Sequence, residues 1–365
     1  MKKYKIAVDE NILIKDEICT AGSKTLYNFK SPYSAIVVDK IKNSGMTISY
    51  KSKTGEFGIE TSGETAAFAV KNELADVALG IDVDGAAYRS AVKNGVIYIK
   101  PTYGTVSRFG IVANVSSVDQ IGVYAKNFDD GFSVLSVISG YDKNDGTSYP
   151  TEKYDYSSDE IDLKSLKAVK LNGFFGTSEA KIEEKIKNIG IPLNTVDFSL
   201  SEYLAQVYLI ISSAEFSNNI SRFDGLKFGY RTENYKNVND MVINSRSESF
   251  TVETKIKSLM GTYVLSENQF KRYYSKAMQV RRLIKQELDE IFRQADFVML
   301  PVSDCLCDFF GVNPQEYYNK LKFSALANLT GCPAIIIPIT EQHGVQIIAK
   351  EFNENKLFAL GKALL

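Results

Sequence analysis

Apolar positions along this chain change their period several times, and each change marks an element. Between Ser34 and Ser44 they fall at Ala35, Val37, Val38 and Ile41, a helical spacing, and Gly45 stands where such a helix would stop. Met46–Tyr50 then reads as a strand. Ser266-Glu267-Asn268-Gln269 has the form of a capping box. After it Phe270, Tyr273, Tyr274, Ala277, Val280, Ile284, Leu288, Ile291 and Phe292 predict one long helix with an apolar face. Phe297–Pro301 reads as a buried strand, and Ala334–Ile339 and Val345–Ile348 as two more, joined by a turn at Glu341–Gly344. This alternation predicts an α/β fold: a mixed, twisted central sheet with helices on both faces. Tyr141–Ser165 is polar and reads as a long surface connection, and no internal repeat is evident.

Composition narrows the classes of function more than it selects one. At 365 residues and 44% hydrophobic, the chain can bury a large core, as one large domain or two ordinary ones. Lys and Arg number 43 against 44 Asp and Glu, a net charge of −1, so no global field draws it to nucleic acid or anionic membrane. Locally too, Arg281-Arg282 is followed by Glu287 and Asp289, so no direct nucleic-acid contact is expected. The N-terminal MKKYKIAVDENILIKDE has no continuous apolar core, and no later segment reaches the length of a membrane span; a soluble, cytoplasmic protein is expected.

The four cysteines, Cys19, Cys305, Cys307 and Cys332, are scattered, which predicts reduced thiols. Cys305-Leu306-Cys307 has no second pair nearby, and the single histidine, His343, lies in the Glu341–Gly344 turn. A multi-histidine metal site is therefore excluded, a Ser-His-Asp triad would rest on His343 alone, and neither metal nor cofactor is expected.

The segment Gly80 to Gly104, GIDVDGAAYRSAVKNGVIYIKPTYG, carries the candidate chemistry. It resembles the core of the amidase signature family, where the corresponding stretch reads G-x-D-x-G-G-S-I-R, a spacer, then G-L-K-P-T-x-G. Gly80, Asp82 and Gly85 match the front, and Lys100 to Gly104 the back, so the nucleophilic serine's column falls on Ala86. The likeness covers most of the chain. Ile14–Thr20 is similar to I-K-D-N-I-C-T, Arg108–Gly122 to R-Y-G-L-V-A-x-A-S-S-L-D-Q-I-G, and Arg222–Gly225, Gly229–Arg231, Gly261–Ser266 and Asn328–Ala334 follow in order. Within the family the pattern is most similar to the A subunits of glutamine-dependent aminoacyl-tRNA amidotransferases. It implies one amidase-like domain over 1–365, shorter than the family before the lysine.

What the resemblance implies for chemistry is a Ser, a cis-configured Ser and a buried Lys kept neutral by desolvation so that it can act as a base. Lys15 matches the lysine of the I-K-D motif. It is expected to lie buried near Ala86, paired with Asp82 or Asp84. Ser62 lies 24 residues before Ala86, the spacing an ungapped register requires for the middle serine. A second register starts from the likeness of Lys51–Phe57 to K-T-N-M-D-E-F. It leaves the family's glycine- and serine-rich loop deleted between Phe68 and Val70, and this reading is preferred. Asp82, Val83, Asp84 and Gly85 stand where the family's oxyanion loop binds substrate. Asp84 replaces a glycine there, and its carboxylate would repel a developing oxyanion. Asp119, Gln120 and Tyr230 are further implied binding positions. The family's substrate-binding arginine falls at Ile256 or Lys257, and its aspartate at Leu321. Losses at several columns argue for natural decay over a single engineered serine-to-alanine change.

Two classes of function remain open. One is a non-catalytic amidase homologue that acts as a scaffold, regulatory partner or binding module, through a protein partner, a homo-oligomer or a complex with an amidotransferase-like or biosynthetic enzyme. The other is an amidase or amidotransferase with a relocated nucleophile, for which Ser303, Cys305 or Cys307 after the Phe297–Pro301 strand are the candidates.

Overall fold

The computed structural model describes residues 3–59, 65–152, 154, 156–158, 161–172, 180–303 and 314–365. Ten strands form one sheet: β1 (Lys5–Asp9), β2 (Thr47–Ser52), β3 (Val77–Asp82), β4 (Ile97–Lys100), β5 (Gln120–Ala125), β6 (Ala168–Leu171), β7 (Leu193–Val196), β8 (Phe297–Ser303), β9 (Ala334–Pro338) and β10 (His343–Ala349). Their order across the sheet is β2-β1-β3-β5-β4-β9-β10-β8-β6-β7. Pairing is parallel at both edges and antiparallel from β3 through β8. The mixed sheet read from the sequence is therefore present. Its central strands are buried on both faces, which is why they read as unbroken apolar runs such as VALGID and AIIIP.

Helices flank this sheet: α1 (Ile36–Asn43), α2 (Ala66–Lys71), α3 (Ala86–Asn94), α4 (Phe128–Ile138), α5 (Ala180–Ile189), α6 (Leu204–Ile220), α7 (Val238–Ser249), α8 (Val252–Leu265), α9 (Glu267–Phe270), α10 (Lys276–Ile291), α11 (Pro314–Thr330) and α12 (Glu354–Leu364). The expected stop after α1 holds, with Gly45 at φ 81° just beyond the last turn. The expected long helix after Ser266 is interrupted. A π-helical turn over Lys271–Ser275 separates α9 from α10, and the Ser266 hydroxyl donates back to the Tyr263 carbonyl instead of capping the new helix. The polar connection Tyr141–Ser165 is less external than its composition suggests. Asp142 and Asp145 are buried, and they accept from the Ser107 hydroxyl at 2.5 Å and the Arg108 amide at 2.8 Å.

Strand direction determines where the chemistry gathers. The C-terminal ends of β1, β3 and β4 and the start of β5 lie at one end of the sheet, because Asp82 pairs with Gln120 and Lys100 with Ala334. Gly80 and Gly122 face each other across β3 and β5. A side chain at Gly80 would strike the Tyr124 ring at 2.5 Å, and one at Gly122 the Tyr98 hydroxyl at 2.2 Å, so the two glycines make room for a tyrosine stack beneath α3. Among the described residues, no helix is long and apolar enough to cross a membrane.

Candidate functional site

The chain leaves β3 at Asp82, turns through Val83, Asp84 and Gly85, and enters α3 at Ala86. Gly85 sits at φ 82°, and a Cβ there would lie 2.3 Å from the Ser324 Cβ, so both conformation and packing require glycine. A helix start offers backbone N–H groups to an anion. Here the chain's own carboxylates take them. Asp84 Oδ1 accepts from the Ala86 amide at 3.0 Å, and Asp82 Oδ1 from the Ala87 amide at 3.2 Å. Arg89 holds Asp84 in place, with Nη2 on the carboxylate and Nη1 on the carbonyl, both at 3.0 Å. From α11, Asn328 donates to Asp82 Oδ2 at 2.7 Å and to the Val83 carbonyl at 3.2 Å, and Ser324 donates to the Asp84 carbonyl at 3.0 Å. From α6, the Tyr208 hydroxyl donates to the Val83 carbonyl.

Beneath this loop lies a buried set of ionisable groups. Burial pushes Asp82 up to about 6. Lys100, fully enclosed at the end of β4, is pushed down to about 8 by the same cause, with Asp82 drawing it partly back. Its amine donates to the Ala327 and Cys332 carbonyls, each at 3.2 Å. Tyr88, Tyr98 and Tyr124 are buried beside them, and burial raises all three hydroxyls well above the ordinary tyrosine range. The lysine buried behind the loop is thus Lys100, and its hydrogens are committed to the end of α11.

Lys15 is not part of this set, contrary to the expectation from the I-K-D motif. Its side chain is exposed, and its contribution is a backbone N–H donated to the Ser34 hydroxyl at 3.0 Å. The expected pairing with Asp82 or Asp84 is absent too, since those carboxylates are held by Asn328 and Arg89. Lys15→Ala is accordingly expected to change unfolding free energy by no more than about 0.5 kcal/mol, to be checked by urea denaturation.

The ionisable group at the end of β1 is Asp9. It is half-buried against β3, with Ser52 donating to Oδ1 at 2.7 Å and the Ile81 amide to Oδ2 at 3.2 Å; a Cβ on Gly80 would lie 2.9 Å from it. Sequence reading passed over Asp9, although the signal existed. Val8-Asp9-Glu10-Asn11-Ile12 also resembles I-K-D-N-I, keeping its Asn and final Ile where Ile14-Lys15-Asp16-Glu17-Ile18 keeps every position but the Asn, and it places aspartate in the lysine column.

Burial pushes the Asp9 carboxyl up to about 6. The folded protein therefore binds its proton more tightly than the unfolded chain, and stability falls as pH rises from about 4 through 6. Asp9→Asn should remove on the order of 2–3 kcal/mol of that slope. Denaturant unfolding of both proteins at pH 4 and 7.5 measures it; parallel pH profiles would contradict the assignment.

The remaining sequence candidates separate spatially. Asp119 is buried and accepts from the Asn114 and Val115 amides at 2.8 and 2.9 Å, a turn-forming role. Gln120 lies beside Asp82 in register and donates to the Thr102 carbonyl at 2.7 Å, while its buried Oε1 has no partner among the described residues. Tyr230 belongs to another cluster, with its hydroxyl on Glu248 at 2.6 Å and Lys24 over its ring. Lys257 projects from α8 over the Phe216 ring, and burial lowers it, with Asp84 and Asp119 opposing. Leu321 is buried. His343 opens β10, its amide donating to the Thr340 hydroxyl at 3.1 Å. Ser62, Cys305 and Cys307 lie outside the described residues, and Ser303 ends β8. Among the described residues, no group of three His, Cys, Asp or Glu side chains could hold a metal ion.

A family model described as amidase matches residues 5–72 and 61–358, so residues 61–72 are matched twice. The A subunit of glutamyl-tRNA(Gln) amidotransferase from Enterococcus faecalis is 35% identical over 391 residues, covering 97% of this chain and 80% of that protein. A protein of the same name from Clostridium acetobutylicum, numbered 2, is 35% identical over 399 residues, covering 97% and 84%. Both alignments are longer than this chain of 365 residues, so these relatives carry internal segments that it lacks. Among solved structures, the glutamyl-tRNA(Gln) amidotransferase A subunit from Thermotoga maritima superposes with a TM-score of 0.76 at 28% identity, over 99% of this chain and 82% of that one. The 6-aminohexanoate cyclic dimer hydrolase shares the fold, with a TM-score of 0.81 at 19% identity, over 99% and 83%.

Proposed function

The chain belongs to the amidase family, and from that premise we propose that it is a catalytically degenerate member, retained as a binding or regulatory subunit rather than as an amide-cleaving enzyme. The observation that carries this reading is the start of α3. The residue in the nucleophile column is Ala86, with no atom able to attack, and Asp82 and Asp84, carboxylates of the inherited oxyanion loop, lie over the first amides of α3, where their charge opposes a developing oxyanion. The carboxylate at Asp9 supports it further, because the amine that the family's lysine–serine relay uses is replaced there by an acid. The doubly matched stretch 61–72 is what a deleted internal segment produces, in keeping with loss of the glycine-rich loop.

Relatives named as the A subunit of an amidotransferase point to a protein partner for this chain as well. One sheet holding all ten strands favours a single domain. A cytosolic location fits the buried free thiols Cys19 and Cys332. The experiment is purification from the native host under mild conditions, with mass spectrometry of what co-elutes and assay of the eluate for glutamine hydrolysis. A stable partner, with no turnover assignable to this chain, is the expected result. Turnover by the isolated protein at about 1 s⁻¹, an ordinary enzymatic rate, would overturn the proposal.

A further inference from the structure

A second cleft, of about 470 Å³, opens between the loop after β4, helix α6 and the π-helical turn Lys271–Ser275. None of its walls uses the Asp82–Ala86 loop. Two independent features mark it as built for a ligand. The first is the π turn, a rare conformation found frequently at functional sites; it interrupts an otherwise continuous helix at the place where Tyr274 enters the cleft. The second is a pair of opposite charges whose hydrogen-bonding capacity is not used up.

On one wall the Arg108 guanidinium lies over the Tyr103 ring, 5.4 Å from its centroid, with Nε donating to the Thr147 hydroxyl at 3.2 Å. Its nearest carboxylate, Asp145, is 3.8 Å from Nη2, too far for a hydrogen bond, and already accepts from the Arg108 and Thr147 amides and the Thr147 hydroxyl. Neither Nη atom has a hydrogen-bond acceptor among the described residues. On the other wall Glu215, from α6, accepts the Ser117 amide through Oε2 at 2.8 Å, and its Oε1 accepts no hydrogen bond among the described residues. The Tyr274 hydroxyl is raised by burial and by this same carboxylate, so the two lie within each other's field. Arg281 stands behind Ser117, bound to its hydroxyl and carbonyl and to the Leu329 carbonyl.

Arg108 and Arg281 are matched by Asp145 and Glu215, so the cleft as a whole is neutral and gives no advantage to a multiply charged anion. It favours a molecule carrying one charge of each sign, with an apolar body to lie against Ala214 and Leu265. Its volume is in the range of sites that hold drug-sized ligands, larger than a free amino acid requires. We infer that this cleft binds a short zwitterionic peptide of two or three residues, its C-terminal carboxylate on Arg108 and its N-terminal ammonium on Glu215 and Tyr274. Binding there is independent of whether the α3 loop is active.

The test uses the full-length protein and a panel of di- and tripeptides, their N-acetylated and C-amidated forms, and the free amino acids, read by ligand-observed NMR and calorimetry. At least one peptide should bind saturably. Blocking either terminus should weaken it about tenfold or more, and the free amino acids should bind less tightly. Glu215→Gln, which keeps an acceptor for the Ser117 amide, should abolish the penalty for N-acetylation, and Arg108→Gln that for C-amidation. Tyr274→Phe, which removes one hydroxyl, should weaken the free-terminus peptide while leaving the melting temperature unchanged. Absence of binding by every peptide at millimolar concentration, equal binding of blocked and free forms, or preference for single amino acids would overturn the assignment.

Discussion

Ala86→Ser alone is expected to leave glutamine and simple amides uncleaved, because the serine it supplies would have neither the family's lysine–serine relay nor an open oxyanion site. Losing a single member of a nucleophile–base set costs about 10⁴- to 10⁶-fold in turnover, and this chain lacks more than one. The buried amine behind the loop, Lys100, spends its hydrogens on the Ala327 and Cys332 carbonyls, and Lys15 is exposed. Asp9 occupies the strand end where a base would be needed, and its charge would oppose formation of an oxyanion rather than assist it. Asp84, fixed by Arg89, still covers the Ala86 amide. Purified Ala86→Ser assayed for ammonia release should match the wild type, and Ala86→Ser combined with Asp84→Gly and Asp9→Lys should exceed both. A turnover near 1 s⁻¹ from Ala86→Ser by itself would show that a working base and oxyanion site survive.

The difference between Lys15 and Asp9 shows where sequence reasoning loses contact with structure. Two similar pentads, Val8–Ile12 and Ile14–Ile18, stand close together, and the presence of a lysine in the second draws the motif onto it. Which pentad ends a buried strand is decided by pairing with β3, a contact with residues some seventy positions away that no local pattern records. The helix α1 with its stop at Gly45 and the strands β2, β8, β9 and β10 were legible because each follows from local conformation or from an apolar run. The partnership of Asp84 with Arg89 was not, since it needs the turn at Gly85 to bring residues five apart together. The Ser266 capping box failed for a related reason: the hydroxyl turns back to donate to the Tyr263 carbonyl of the preceding helix, away from the N–H groups its oxygen would have accepted.

Lys100→Met should lower stability by about 1–3 kcal/mol, the cost of leaving two buried carbonyls without their donor, offset in part because burial already disfavours the lysine's charge. The thioether fills much of the same space, so the loss would come from polarity rather than volume. The Ala327 and Cys332 carbonyls would lose their donor at the end of α11, where a positive charge is favoured by the helix, and Asp82 would keep its charge with no cation beneath it. Adding Asp82→Asn to Lys100→Met should restore part of the loss, so that the two changes together cost less than their sum. Strict additivity would mean that the lysine serves only the carbonyls.

The pH dependence separates the two roles independently. Lys100 releases its proton near pH 8 when folded and near 10.5 when unfolded, so the unfolded chain holds the extra proton between those values and wild-type stability gains from this group as pH rises across them. Lys100→Met has no such proton to release and should lose that gain. Urea unfolding of both proteins at pH 7.5 and 9.5 reads the difference directly. A variant that keeps the wild-type rise would place the titrating amine elsewhere, and a cost below about 1 kcal/mol at pH 7.5 would remove Lys100 from the electrostatic support of the loop.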